Sequence, residues 1–218
     1  MLRFGPDTGP IVVVALPLFE EANRTRAFAV SILRALAERG IAGALPDLPG
    51  QGESVMPTYE TDLTTLRAGF AAAAAALDAP TFTLAIRSGT LLDSEAAVIA
   101  RYHLSPMTGA DLRRELVRAR QASARESGEA FDPASLGAAT DPVELAGNLV
   151  SPALLAQLAD ATPSLERTRT VRLATAAKPA DAKLPGSPLW RRAEPDNDPD
   201  FAQAVADDIA QWIATCAV

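Results

Sequence analysis

The chain has 218 residues, of which 48% are hydrophobic and 22% are charged, so it can bury one substantial core and is predicted to form a single domain over residues 1–218. The formal net charge of −7 repels phosphate backbones, and no basic cluster is interleaved with aromatic side chains, which argues against a nucleic-acid partner. Cys216 is the only cysteine, so an intrachain disulfide and a cysteine-rich metal site are excluded, and a reducing, cytoplasmic location is expected.

The N-terminal half alternates between short apolar runs and helical patterns. Residues 11–16 are β-branched and apolar, as in a strand buried on both faces of a parallel sheet, and the run is too short to span a membrane. Apolar residues recur at helical spacing over 24–39. Residues 41–48 predict a second strand, and the alanine-rich segment 59–77 predicts a second helix.

The C-terminal half continues this alternation with one irregularity. Residues 81–87 and 96–102 predict a third and a fourth strand, but the segment between them is too short for a full crossover helix. Residues 111–126 predict a helix whose arginines form a solvated face. The further predicted elements are a helix at 151–161, a strand at 168–177, a proline-rich loop at 178–190 and an amphipathic helix at 200–214.

Strands that alternate with helices predict an α/β fold, in which a mainly parallel sheet is flanked by helices. Ligands of such folds bind beyond the carboxyl ends of the strands, so the functional residues are expected in the loops there. These loops read PLFEEANRTR, DLPGQGES, RSG and YHLSPM. The candidate site residues in them are Glu20, Glu21, Asn23, Arg87, Ser88 and His103.

Several segments carry a resemblance to a known family. PDLPGQGES at 46–54 resembles the glycine turn that precedes the elbow strand in α/β-hydrolases. Together with LPLFEEANRTR, IRSGTLL, VELAGNLVSPALLAQL and LPGSPLW, it is similar to a narrower group, the α/β-hydrolase-like proteins associated with the exosortase system of exopolysaccharide-producing bacteria. The resemblance implies a bacterial protein with an α/β-hydrolase fold, a reduced cap or none, and the general label of hydrolase.

The nucleophile elbow of that family departs from its pattern. A Gly-x-Ser-x-Gly turn lifts a serine above the sheet, whereas this chain reads Ala85-Ile86-Arg87-Ser88-Gly89. Arg87 occupies the place of the nucleophile, and its protonated guanidinium cannot attack a carbonyl. A family triad also needs a histidine late in the chain, but the only one is His103. These departures predict a lost Ser-His-acid triad, with a binding or accessory role in place of catalysis.

An alternative keeps the chain an enzyme. Ser88 would be the nucleophile, His103 the base, and Asp93 or Glu95 the carboxylate that orients it, giving an esterase, a thioesterase or an acyltransferase. Ser54 is a weaker nucleophile candidate, because a serine in a glycine turn is expected to cap the backbone.

Arg87 should meet a negative charge, because a charge at the end of a central strand is costly to bury unpaired. One interpretation is an ion pair with Glu20 or Glu21 that locks the former active site. The other is that Arg87 binds the carboxylate or phosphate of a small anionic or acyl ligand, with Arg24 and Arg26 adding positive charge.

Other site classes lack their signatures. No metal-ligand spacing occurs, so no metal is predicted. The turn PGQGES lacks the lysine of a P-loop and the Gly-x-Gly-x-x-Gly frame, so no nucleotide or other cofactor is predicted. Trp190 is expected to pack against the domain edge.

Overall fold

A seven-stranded sheet forms the centre of the computed structural model, which describes residues 1–216. The strands are β1 (Leu2–Phe4), β2 (Ile11–Ala15), β3 (Ala42–Leu45), β4 (Thr81–Ile86), β5 (Arg101–Leu104), β6 (Val143–Leu145), β7 (Asn148–Val150), β8 (Thr168–Leu173) and β9 (Ala182–Leu184). The sheet order is β1-β3-β2-β4-β5-β8-β9, and β6 and β7 form a separate hairpin. Only β1 runs antiparallel in the large sheet, so the carboxyl ends of its other strands share one edge.

Helices cover both faces of the sheet. They are α1 (Glu20–Glu38), α2 (Leu63–Ala75), α3 (Gly109–Ser127), α4 (Pro152–Leu158) and α5 (Pro199–Thr215). Alternate residues of β2 enter two separate cores, one with α1 and α5 and the other with α2, α3 and α4. Because every residue of β2 is buried, its uninterrupted apolar sequence matches its central position. This arrangement confirms the predicted class, a mainly parallel sheet flanked by helices.

Four of the five helices begin at a side chain that caps the backbone. Asp62, Thr108, Ser151 and Asp198 each accept a hydrogen bond from the backbone N–H three residues further on. Such caps satisfy donors that lack a partner within the helix, which explains why the chain enters a helix at these positions. No helix among residues 1–216 is both long and apolar enough to cross a membrane.

The fourth predicted strand was placed too early. The strand is β5, and residues 96–100 form the turn that leads into it. The apolar character of this turn comes from burial, since Ala96 and Ala100 are almost inaccessible to solvent. A five-residue 3-10 helix, Arg87–Leu91, follows β4 in place of a full crossover helix. His103 therefore lies within a strand and not in the loop after it.

Smaller differences concern element ends and short strands. Helix α1 begins at Glu20, before the predicted start at residue 24, and β8 ends at Leu173, before the predicted end at residue 177. The sequence did not predict β1, β9 or the β6–β7 hairpin. These strands have three residues each, too few for an alternating pattern to stand out.

Candidate functional site

The turn after β4 retains the backbone of a nucleophile elbow. Arg87 has a φ of 55°, a left-handed conformation that is uncommon for a residue with a side chain. Gly89 lies so close to β2 that a Cβ atom there would overlap the carbonyl oxygens of Ala15 and Leu16. A strained residue and a glycine at close approach are features of the strand-to-helix turn that presents a catalytic serine. Here that backbone presents an arginine.

Arg87 is held by two carboxylates. Its Nε and Nη2 atoms donate to Oε2 and Oε1 of Glu21 at 3.1 and 3.0 Å, a two-pronged ion pair. Nη2 also donates to both carboxylate oxygens of Glu115 on α3, at 3.2 and 3.1 Å. The guanidinium lies 5.3 Å from the ring centre of Trp190, within the range of a cation–π contact. The structure thus contains the predicted ion pair, with Glu21 as the partner.

Burial and ion pairing shift the pKa values of Arg87 and Glu21. The side chains of Arg87 and Glu21 are only 12% and 15% exposed. Burial raises the pKa of the Glu21 carboxyl above its ordinary value, although the hydrogen bond from Arg87 opposes the shift. Burial also disfavours the Arg87 charge, but the hydrogen bonds and charges of Glu21 and Glu115 outweigh it and raise the pKa of Arg87. The arginine therefore remains a cation.

The loop after β2 does not bring all its predicted site residues to Arg87. Glu20 is exposed and makes no ion pair within residues 1–216. Asn23 is also exposed and lies against the turn of Gly50 and Gly52, away from the elbow. Of this group, the structure brings only Glu21 into contact with Arg87.

The two arginines of the same segment separate as well. Nη1 of Arg24 donates to the backbone oxygen of Trp190 at 3.3 Å, so this arginine stays beside the elbow. The guanidinium of Arg26 lies 3.5 Å from the carboxylate of Asp47, away from Arg87. Trp190 is 4% exposed, so it is packed as the sequence predicts, and its ring also covers Arg87.

The Ser88 hydroxyl faces the loop after β2. Its Oγ atom accepts a hydrogen bond from the backbone N–H of Leu18 at 2.9 Å, and the residue is inaccessible to solvent. In a nucleophile elbow, an N–H from the corresponding loop helps to form the oxyanion hole. No hydrogen bond joins Ser88 to His103 within residues 1–216. Ser54 instead caps the backbone, as expected, because its Oγ accepts from the N–H groups of Gly50 and Met56.

His103 on β5 forms a buried pair with Asp93, next to β4. Nε2 of His103 lies 2.9 Å from Oδ2 of Asp93, which also accepts a hydrogen bond from the Thr83 hydroxyl at 2.8 Å. His103 is 1% exposed and Asp93 is fully buried. Glu95, the other predicted orienting residue, is exposed. The structure thus brings together the histidine and one of the carboxylates named for the rearranged triad, without a hydrogen bond to Ser88 in the described part of the chain.

A cleft of about 450 Å³ opens beside Arg87 at the carboxyl edge of the sheet. We call it the basic cleft, because its charged lining residues are two carboxylates and six cations, namely Asp111, Glu115, Arg87, Arg114, Arg118, Arg172, Lys178 and Arg191. Both carboxylates are already paired, Asp111 with Arg114 at 2.8 Å and Glu115 with Arg87. Within residues 1–216, Arg118, Arg172, Lys178 and Arg191 make no ion pair. Positive charge is therefore concentrated here in a chain whose net charge is −7.

A second cavity, of about 340 Å³, lies on the other side of Arg87. We call it the apolar pocket after the side chains that α3 and the loop after β2 contribute, Leu112, Leu116, Ala119, Leu18 and Phe19. Its lining also contains charged residues, namely Glu20, Glu21, Arg24, Arg87, Glu115 and Arg191. Arg87 and Glu115 line both spaces, so a ligand at the edge of the sheet could contact both.

Sequence reasoning missed several lining residues of the basic cleft. Glu115 and Arg118 belong to the helix whose arginines were interpreted as a solvated face. Arg172 lies on β8, where Thr168, Thr170 and Arg172 share one face, and Val171 and Leu173 on the other face are buried. That alternation was a usable signal, but it did not show which neighbouring element would face it.

Comparisons with known proteins identify structures that are similar to this chain. Neither a protein-family model nor a curated protein sequence matches this chain. The structure is similar to that of Est1E from Butyrivibrio proteoclasticus with bound ferulic acid, at a TM-score of 0.59 and 13% identity over 99% of this chain and 94% of the other. It is also similar to the mouse alpha/beta hydrolase domain-containing protein 10, at a TM-score of 0.58 and 14% identity, with the same coverage of 99% and 94%.

These similarities extend over almost the whole of each chain, although the identities are low. The mainly parallel sheet flanked by helices agrees with these similarities. The chain therefore has the α/β-hydrolase fold.

Proposed function

We propose that this chain is an α/β-hydrolase-fold protein without a working Ser-His-acid triad, and that it binds a small anionic ligand in the basic cleft. The observation that carries the proposal is Arg87, which stands where the nucleophile would be and is held by Glu21 and Glu115. A guanidinium cannot form an acyl intermediate, but it can bind carboxylate or phosphate through paired hydrogen bonds.

The charge of the basic cleft supports an anionic ligand. Arg172 donates only to the backbone oxygens of Pro106 and Pro179, at 3.4 and 3.3 Å, so its positive charge is not neutralised by a carboxylate. Arg118 and Lys178 add two exposed cations on the facing elements. Such a concentration of cations would attract an anion and orient it toward Arg87. The apolar pocket beyond Arg87 would accept an acyl group attached to that anion.

The biological setting follows from the sequence resemblance alone. Similarity to exosortase-associated proteins supports an accessory role in exopolysaccharide production or protein sorting, inside a bacterial cell. In that role the protein would carry or sense a ligand, and the elbow backbone would serve as a scaffold for Arg87.

The first experiment asks whether any serine reacts. The folded protein and its Ser88→Ala variant are treated with a fluorophosphonate probe, analysed by intact mass, and assayed with short and long acyl esters and thioesters. We expect no adduct and no turnover, because the Ser88 hydroxyl is buried and bonded to Leu18. An adduct and turnover that both disappear in Ser88→Ala would overturn the proposal.

The second experiment asks whether the cleft binds anions. Inorganic phosphate is titrated by calorimetry into the wild type, Arg118→Ala and the matched control Arg125→Ala. Both arginines lie on α3 and are exposed, but only Arg118 lines the basic cleft. Arg118→Ala should weaken phosphate binding about 3- to 10-fold, whereas Arg125→Ala should leave it unchanged. Equal effects of the two variants would indicate attraction by surface charge only.

One observation favours a second candidate function, that of an esterase, a thioesterase or an acyltransferase. The His103–Asp93 pair has the contact of a base with its orienting carboxylate. This candidate requires Ser88 to leave Leu18 and reach His103 during turnover. The labelling experiment distinguishes the two functions, because only this candidate predicts a Ser88-dependent adduct.

A further inference from the structure

The sheet carries a polar strip on the face of β5 and β8 that also bears α3. Strand alternation directs Arg101 and His103 to this face, and the register pairs them with Thr168 and Thr170 of β8. Arg172 follows on the same face, two residues beyond Thr170. Because no full helix connects β4 to β5, part of this strip remains free to line a cavity.

That cavity has a volume of about 670 Å³ and lies between β5, β8, the start of α3 and the loop that contains Lys178. We call it the His103 cavity. It adjoins the basic cleft, since Arg172, Lys178 and Asp111 line both. The Thr170 hydroxyl donates no hydrogen bond within residues 1–216, whereas the Thr108 hydroxyl already caps α3. The cavity therefore offers polar groups deep inside and cations near the shared edge.

The bonding of His103 fixes what it can offer to a ligand. As a carboxylate, Asp93 can only accept hydrogen bonds, so Nε2 of His103 must carry the hydrogen between them. In the tautomer that carries its hydrogen on Nε2, Nδ1 is an acceptor. No residue within 1–216 donates to Nδ1, and His103 is one of the residues that line the cavity. A ligand in the cavity can thus donate a hydrogen bond to Nδ1.

The acidic residues of the cavity have other partners at hydrogen-bond distance. Asp111 is paired with Arg114 at 2.8 Å, and Asp181 accepts a hydrogen bond from the backbone N–H of Thr170 at 2.7 Å. Arg172 and Lys178 make no ion pair in the described part of the chain, although Asp111 lies near enough to Lys178 for the cation to help lower the pKa of Asp111. A ligand that satisfies both ends of the cavity has a hydroxyl group at one end and an anionic group at the other.

We propose that the ligand is an organic anion bearing a hydroxyl group, which donates a hydrogen bond to His103 Nδ1 while Arg172 and Lys178 bind its anionic group. This inference rests on the proposed function, because it extends the anion site of the basic cleft into the His103 cavity. It adds a recognition residue and a ligand class. A neutral alcohol would leave the two cations unused, and a simple anion would leave Nδ1 without a donor.

The single histidine makes a direct test possible. In protein labelled with ¹⁵N-histidine, every imidazole signal comes from His103. Three probes are titrated, namely glycerol 1-phosphate, propyl phosphate and inorganic phosphate. We expect the free protein to show the tautomer with hydrogen on Nε2, and only glycerol 1-phosphate to shift the Nδ1 resonance strongly. The hydroxyl groups should tighten binding about 3- to 10-fold relative to propyl phosphate.

A variant removes the acceptor from the cavity. In His103→Phe, the aromatic ring is kept, but the Nδ1 acceptor is lost together with the hydrogen bond to Asp93. We expect the preference for glycerol 1-phosphate over propyl phosphate to disappear, while inorganic phosphate binds as it does to the wild type. If the variant does not fold, the resonance shift in the wild type remains the deciding measurement.

The outcomes distinguish the inference from the proposed function. If all three phosphates bind but the Nδ1 resonance does not move, the inference is wrong and the anion site stands. If glycerol 1-phosphate and propyl phosphate bind equally to the wild type, the inference is also wrong. If no phosphate binds, the proposed function fails together with the inference.

Discussion

The charged side chains at two neighbouring strands, β4 and β5, differ in their partners and in their exposure to solvent. At the end of β4, Arg87 has two carboxylate partners and an aromatic cover, and its side chain stays 12% exposed at the mouth of a cleft. Within β5, His103 contacts a fully buried Asp93, whose Oδ1 atom has no hydrogen-bond partner in the described part of the chain. Arg87 is therefore partly accessible and has two carboxylate partners, whereas Asp93 is inaccessible and one of its carboxylate oxygens has no partner in that part of the chain.

The difference shows that the elbow backbone and the acid–base chemistry have separate positions in this fold. The elbow turn orients whichever side chain occupies residue 87, and an arginine there recruits carboxylates. His103 lies one strand away, where it is paired with Asp93 and lines the His103 cavity. Substitutions at Arg87 and at Asp93 test how much each of these clusters contributes to stability.

The largest expected effect is at Asp93. Asp93→Ala would leave His103 and Thr83 without their buried partner, and it would leave Arg101 without the carboxylate that lies 3.9 Å away. We expect a loss of about 3 to 5 kcal/mol in the free energy of unfolding, measured by urea denaturation. Asp93→Asn is the control and should lose less, because its amide oxygen still accepts from the same donors. A loss below about 1 kcal/mol for Asp93→Ala would show that the buried pair is not an important stabilising element.

A smaller loss is expected at the elbow. Arg87→Ala removes the partner of Glu21, and we expect a loss of about 2 to 3 kcal/mol at pH 7, because a mostly buried carboxylate is left uncompensated. The double variant Arg87→Ala/Glu21→Gln should recover part of this loss, since it removes the unpaired charge. A double variant that is less stable than the single one would contradict this account of the elbow.

The stability of the single variant Arg87→Ala is expected to depend on pH. The pKa of Glu21 in the folded state is raised above its ordinary value of 4.5. Proton binding at Glu21 therefore stabilises the folded state fully below that pH, and this stabilisation is lost as the pH rises through the folded-state pKa. Removal of Arg87 raises this pKa further. Unfolding measured from pH 4 to 7 should therefore show a steeper loss of stability in Arg87→Ala than in the wild type. Parallel curves would mean that Glu21 does not titrate in this range.

The close approach of the elbow to β2 can be tested at Gly89. Gly89→Ala would place a Cβ against the backbone oxygens of Ala15 and Leu16, and backbone atoms cannot move as a flexible side chain can. We expect a loss of about 2 kcal/mol, with the turn displaced. Gly137→Ala is the control, because a Cβ there meets no atom within 4 Å and should have little effect. Equal unfolding curves for the two variants would contradict the close approach.

The smallest effect is expected at a carboxylate outside both regions. Asp62 caps α2 by accepting from the Thr65 N–H at 2.7 Å, and that hydrogen bond lowers the pKa of Asp62, opposite to the shift of Glu21. Asp62→Ala should lose about 1 kcal/mol at neutral pH. The difference from the wild type should shrink as the pH falls through the folded-state pKa of Asp62, below 3.8. If the stability difference between Asp62→Ala and the wild type stayed constant at low pH, the charge of Asp62 would not contribute to capping.

The fold could be predicted because its strongest signals are local. The apolar run at 11–16 and the helical spacing that follows it predict buried parallel strands and covering helices. The elbow segment could also be located, since Arg87 stands at a specific place within a short motif. The boundary of β5 could not be predicted, because apolar residues buried in a turn resemble apolar residues buried in a strand.

The sequence by itself determined that the chain alternates strands with helices, that an arginine stands at the nucleophile position, and that one histidine is available. Only the tertiary structure decided which partners these residues meet. Glu115 reaches Arg87 from a helix 28 residues away, and Asp93 meets His103 across a turn. The physical reason is that periodicity determines the face on which a residue lies, whereas partner choice depends on how separate elements pack, and that packing involves residues far apart in the chain.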